Sequence, residues 1–294
     1  MNIQLSWSRR LFIVINYAFL IGLAATCLFP LIHVLAISFS SSTAATSGMV
    51  KLWPVDFTFA SYEFILHKKE FIRSFEVTLL RTPLGFAVNM LLTVLCAYPL
   101  SKEQREFRLR TTYAWYFILT ILFSGGLIPW YMTVKTTGLL NTIWALIIPG
   151  AVPVFNVILM LNFFRGLPKD IEESAFLDGA GHWTVLWRMY VPLSLPVIAT
   201  VSLFTLVGHW NAWFDGLVLM NFPEKYPLST YLQLMVANSS SLNFSGQSLF
   251  ELIAVSQRTA RAAQIFLGAL PILLVYPFLQ KYFVKGIVLG SVKS

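Results

Sequence analysis

The chain has 294 residues, 57% of them hydrophobic and only 12% charged, with 25 Phe, 9 Trp and a formal net charge of +8. A soluble domain carries about a quarter charged residues, so this chain has too little charge to cover a water-facing surface, and a polytopic membrane protein is expected. In a soluble protein the basic excess would suggest nucleic acid. Here it is read as Lys and Arg retained on one side of a bilayer, with no nucleic acid as partner.

The N-terminus, MNIQLSWSRR, leads into an apolar run without a small-residue cleavage site, so the run is expected to stay as a first span. Six windows are free of Asp, Glu, Lys and Arg and long enough to cross a bilayer: residues 11–37, 82–100, 111–132, 141–164, 191–214 and 262–279. Backbone polar groups in lipid must be paired within the segment, so these runs predict helices and an all-α fold with six spans. Pro30, Pro149, Pro153, Pro196, Pro271 and Pro277 are expected to kink the spans or mark their ends. Pro30 with His33 should kink the first span and cap its outer end. Cys27 and Cys96 both fall inside apolar runs, so no disulfide framework is indicated.

The loop at 101–110, SKEQREFRLR, holds four basic residues, whereas 133–140 holds only Lys135. The positive-inside rule therefore puts the first loop inside and the second outside. With six spans both termini lie in the cytoplasm, in keeping with Arg9 and Arg10 at one end and Lys281, Lys285 and Lys293 at the other. Residues 38–80 and 216–261 then face outward. In the first of these, ASYEFILHKKEFIRSFEV (60–77) is amphipathic enough for an interfacial helix whose Lys68, Lys69 and Arg73 meet acidic lipid or a binding protein. The second, rich in Ser and Asn, is expected to be a solvated loop with short helices. Arg81 and Asp215 flank their spans and are expected at the outer interface.

Several chemistries are disfavoured. No G-x-x-x-x-G-K-[ST] loop is present, so the chain should not hydrolyse ATP alone. His33, His67, His182 and His209 show no metal-ligand spacing, and no acid-base or nucleophilic set converges, so no metal, cofactor or catalytic residue is expected and an enzyme is disfavoured. The span cores lack a carboxylate or Lys of the kind that proton-coupled pumps carry. Sodium can be held by backbone carbonyls, which keeps an ion-coupled secondary transporter as the alternative reading.

The informative stretch is RGLPKDIEESAFLDGAGHWTVLWRMYVPLSLP (165–196). Asp170 can N-cap a helix, with Glu173 three residues later completing a capping box. Gly179 suits the left-handed residue after a helix C-terminus, and a second helix can resume near His182. Glu173-Ser174-Ala175, then Asp178-Gly179-Ala180, then Pro192-Leu193 and Pro196 resembles the EAA loop of type I ABC importer permeases, with Ser174 in place of the first Ala. Residues 123–150, Trp210-Asn211 and the tail 280–294 are similar to the carbohydrate, maltose-type branch that carries oligosaccharides and polysaccharides.

The resemblance implies a type I ABC importer permease fold: residues 1–73 as N-terminus, first span and external segment, 74–279 as permease core with a coupling loop at 165–190, and 280–294 as cytoplasmic tail. It also implies a second homologous permease, two ABC ATPase subunits, an extracytoplasmic solute-binding protein, a carbohydrate substrate and a bacterial plasma (inner) membrane. Glu173, Ser174, Ala175, Asp178, Gly179 and Ala180 would form the ATPase-coupling element. By that resemblance Glu173 would pair with a basic group of the ATPase, and the outer loop at 237–247 would meet the binding protein.

A sugar pathway needs polar groups near the midplane. Counting from the span ends, Asn89, Thr93, Asn156, Ser202 and Thr205 lie nearest the middle. They either line a solute pathway or hydrogen-bond between helices. Trp130, Tyr131, Trp144 and Trp213 map to outer span ends, where an aromatic belt sits. Trp210 and Asn211 are added to the pathway set because the resemblance singles them out.

Overall fold

A computed structural model describes residues 7–237 and 256–291, with the side chains of residues 276 and 278–291 outside that description. The outer loop at 238–247 and residues 292–294 of the tail lie outside the described residues. Among the described residues every regular element is a helix or a helical turn.

Two units are recognised, one of Met1–Lys69 with Leu234–Ala269, the other of Glu70–Gln233 with Leu270–Ser294. In the first, α1 (Trp7–Ser38) is apolar on all sides and buries only Ala36, Ile37 and Ser38. A helix that is hydrophobic all round and yet exposed is one whose partner is lipid. It runs unbroken through Pro30 and continues to Ser38, past His33, whose Nδ1 donates a 2.6 Å hydrogen bond to the Lys51 carbonyl, so His33 does not cap the end of the helix as expected. The short α2 (Ser42–Thr46) is capped by the Ser41 hydroxyl accepting from the Ala44 amide. Phe39, Phe57, Phe59 and Tyr62, the last from α3 (Ala60–Leu66), form an aromatic cluster. The expected interfacial helix at 60–77 is therefore two pieces, α3 and the start of the next helix, broken at His67 and Lys68.

The second unit is built on α4 (Lys69–Ser101), a 33-residue helix about 50 Å long. Three further expected spans are each bent. α5 (Arg110–Leu122) and α6 (Leu127–Thr136) meet at 115° across the Gly125–Gly126 pair. Two 3₁₀ turns, Ile143–Leu146 and Ile148–Gly150, meet α7 (Val154–Arg165) at 49°, where Pro153 fixes the chain before the helix. After α8 (Lys169–Leu177) the chain runs through α9 (His182–Val185), a π-helical turn at Leu186–Tyr190 and α10 (Val191–Leu193), then bends by 82° at Ser194 into α11 (Leu195–Asn211). Pro192 and Pro196 bracket that bend, each lacking the amide that would continue an i→i−4 ladder. α12 (Phe214–Leu219), α13 (Leu228–Ala237) and α14 (Gln257–Ser291) complete the chain, and Pro271 and Pro277 lie within α14 without breaking it. Three helices are long and apolar enough to cross a membrane, and six spans result if each bent pair counts as one.

The main core of the second unit joins α4 (Val94, Ala97, Tyr98, Leu100), α7 (Val157, Met160, Phe164), α8 through Ala175, the segment Val185–Tyr190, and α11 (Val197, Val201). The EAA-like helix is thus built into the core by one small residue.

Candidate functional site

Two arrangements in the second unit carry the expected residues. The first is a cavity of about 470 Å³ among α4, the 3₁₀ turns, α7 and α11. Asn89, Asn156 and Thr205 line it, as do Arg81, His209 and Asp215. The Asn156 amide donates to the Thr205 hydroxyl at 3.2 Å, and that hydroxyl donates to the Val201 carbonyl at 2.8 Å. The Asn89 amide donates to the Gly150 carbonyl at 3.3 Å, whereas its carbonyl oxygen is buried without a hydrogen-bond partner. His209 lies so close to α4 that a Cβ at position 85 would come within 2.5 Å of its ring, so Gly85 is the residue that fits.

Arg81 departs from the interfacial expectation. Its side chain is 2% exposed, ion-paired with Asp215, and donates to the Ala212 carbonyl at 3.1 Å and the Leu146 carbonyl at 3.3 Å. The reason is chemical: a guanidinium in apolar surroundings needs most of its donors satisfied, and two carbonyls freed at helix breaks supply them. Of the other expected pathway residues, Thr93 is buried with an unbonded hydroxyl, Ser202 contacts the Met90 sulfur at 3.9 Å, Trp210 packs edge-on against Phe75, and Asn211 is exposed. None of these four lines the cavity.

The second arrangement is α8 and its surroundings. Pro168, not Asp170, occupies the N-cap position and no side chain caps the helix, so the expected capping box is not formed. The helix starts at Lys169, which moves Asp170 and Glu172 into the first turn, where negative charge suits the helix dipole. The C-terminus follows expectation. Gly179 has φ +81, its amide donates to Phe176 at 3.0 Å, and the Ala180 amide donates to Ala175 at 2.9 Å. This is the paired-bond Schellman end that a left-handed Gly permits. Ala175 is buried, while Glu173, Ser174, Asp178 and Gly179 are exposed and Ala180 is half-buried. At the tip Leu177 is 89% exposed, with Trp183 of α9 at 66%.

Sequence reasoning did not single out the carboxylate next to the motif. Glu172 turns inward, ion-paired with Lys102 and accepting from the Tyr190 hydroxyl. Lys102 Nζ also donates to the Tyr190 hydroxyl at 3.1 Å and sits 4.1 Å and 4.3 Å from the Tyr98 and Tyr190 ring centroids. Burial pushes the Lys102 ammonium below its usual range, and the Glu172 carboxylate works against that shift. The Tyr98 hydroxyl meets His182 Nδ1 at 3.2 Å, and the ring of His182 packs on Phe176. Arg165 and Arg110 donate to the Leu100 and Lys102 carbonyls, satisfying groups the end of α4 leaves open. The signal was present in the sequence as a Lys beginning a basic loop, but only folding brings it to α8.

Comparison with known proteins returns one family description, "Binding-protein-dependent transport system inner membrane component", which matches residues 82–289. Protein LplC of Bacillus subtilis (strain 168) is 40% identical, the match covering 97% of this chain and 96% of that one. The polygalacturonan/rhamnogalacturonan transport system permease protein YtcP of the same organism is 38% identical, covering 97% and 99%. Among solved structures, a chain from a bacterial ABC transporter involved in the import of the acidic polysaccharide alginate superposes with a TM-score of 0.89 at 34% identity, covering 96% of this chain and all of that one.

Proposed function

This chain belongs to the binding-protein-dependent transport system inner membrane components, and from that premise we propose that it is one of two membrane-spanning subunits of an ATP-driven carbohydrate importer. ATP hydrolysis resides on two partner ATPase chains, and an external binding protein delivers the saccharide. The importer sits in a bacterial plasma membrane with both termini of this chain in the cytoplasm, a reading supported by the basic loop at 101–110.

The observation that carries the proposal is the form of α8: a nine-residue helix fixed to the core by Ala175, ended by the left-handed Gly179, and presenting Leu177 at 89% exposure. Leu177 and Trp183 are two large apolar side chains exposed in the same loop between α7 and α11, and grouped apolar exposure suits a docking surface for a second protein. Glu173, on the exposed side, is assigned to a basic group of the ATPase. Ser174, Asp178 and Ala180 shape the same element. One relative is named as a permease of a polygalacturonan/rhamnogalacturonan transport system and another belongs to a transporter involved in the import of alginate, which supports a saccharide as cargo. Asn89, Asn156 and Thr205 are assigned to its path, since saccharide hydroxyls require donors and acceptors in a water-poor cavity. Thr93, Ser202, Trp210 and Asn211 do not line that cavity, and the path is assigned to the other three alone. Each state change is driven by the difference in affinity of ATP and of the loaded binding protein for the two conformations.

The test is reconstitution. Proteoliposomes holding this chain, its companion permease and the ATPases should take up saccharide only with ATP inside and loaded binding protein outside. Uptake by this chain alone on a proton or sodium gradient would overturn the proposal in favour of a secondary transporter.

A further inference from the structure

Glu172 and Glu173 are neighbours on α8 but take opposite directions. Glu173 is exposed. Glu172 enters a buried joint with Lys102, whose side chain is 6% exposed, and with the Tyr190 hydroxyl. The joint brings together the end of α4, α8 and the π-helical turn.

We infer that Glu172 is the positioning residue through which movement of α8 reaches the cavity, tied to α4 by Lys102 and to the bend at Ser194 by Tyr190. The inference rests on the importer reading above and adds a division of labour: Glu173 for the partner, Glu172 for the chain itself. Ala175 is the only buried residue among the described residues of α8, so few side chains pass a push on α8 to the rest of the chain, and Glu172 supplies the charged one. Apolar contacts around Ala175 can slide. A buried ion pair held by a hydroxyl and two aromatic faces resists separation, because parting it leaves charge unpaired in the interior. Both connections lead to the same place. α4 carries Asn89 and Arg81, and beyond the bend α11 carries Thr205 and His209. π-helical turns recur at functional positions, and this one supplies Tyr190.

The experiment uses the complete importer in proteoliposomes and measures saccharide imported per ATP hydrolysed. Glu172→Gln and Lys102→Met should assemble with the ATPases yet import at least tenfold less saccharide per ATP. Lys102→Arg, which keeps the charge and the stacking on both rings, should return to within threefold of the parent. Glu173→Gln should instead reduce recovery of the ATPases with the permease. Parental saccharide per ATP in assembled Glu172→Gln and Lys102→Met would overturn the inference. If those two are recovered only as unassembled chain, Tyr190→Phe decides, since it removes one hydroxyl: an unchanged ratio there overturns the inference, and a ratio reduced at least threefold supports it. A parent complex without ATP-driven uptake would instead reject the importer reading on which the inference rests.

Discussion

Asn89 and Asn156 face one cavity but differ in how completely they are bonded. Asn156 donates to Thr205, so its amide holds α7 to α11. Asn89 offers a buried carbonyl oxygen with no hydrogen-bond partner, which suits a donor carried by a passing solute. Leaving such an acceptor unsatisfied costs about 1–3 kcal/mol. Asn89→Leu should therefore lower the saccharide uptake of the assembled importer by about tenfold, since each 1.4 kcal/mol is a factor of ten, with only a small loss of thermal stability from its 3.3 Å bond to the Gly150 carbonyl. Asn156→Leu should lower both uptake and melting temperature. Unchanged uptake kinetics in both variants would leave these amides as helix-to-helix bonds only. Polarity at span centre was legible in the sequence for both. That Arg81 and Asp215 join them was not, because span-end position says nothing about which carbonyls a distant helix break will free.

At the scale of elements, the end of α8 can be tested through its turn. No atom lies within 4 Å of a Cβ built at Gly179, so any effect of substitution there comes from the φ of +81 rather than from a clash. A β-branched residue in the left-handed region costs roughly 1–2 kcal/mol, while Asn tolerates it. Gly179→Val should cut uptake about tenfold at matched membrane levels, Gly179→Asn should stay near the parent, and Gly179→Pro, which also removes the amide bonded to Phe176, should abolish coupling. Equal uptake in all three would remove the turn from the mechanism. The Gly stop and the restart at His182 were readable because each depends on local chain chemistry. The missing capping box was not, because Pro168 sets the helix start before Asp170 can. The bends were half legible: Pro153 and Pro196 were expected to kink their spans and stand at two of them, whereas the break at Gly125–Gly126 was not anticipated and Pro271 leaves α14 unbroken, because tertiary packing as well as local chain chemistry decides whether a helix parts.

For the whole molecule, the six apolar windows bounded by charge fall on the three long apolar helices and the three bent pairs among the described residues, since bilayer thickness fixes length and lipid excludes unpaired backbone. Which polar residues share a cavity and which carboxylate turns inward depend on tertiary contacts that a single chain does not spell out. The central claim is that α8 is a mechanical handle held by a separate ATPase. The direct measurement replaces Cys27 and Cys96 by Ser, places a single cysteine at Leu177, and crosslinks in cells that express the ATPase subunit. The account predicts a covalent adduct between the two chains whose yield changes with ATP. A cysteine at 177 that reacts freely with a small maleimide but never captures the ATPase, with or without nucleotide, would contradict it.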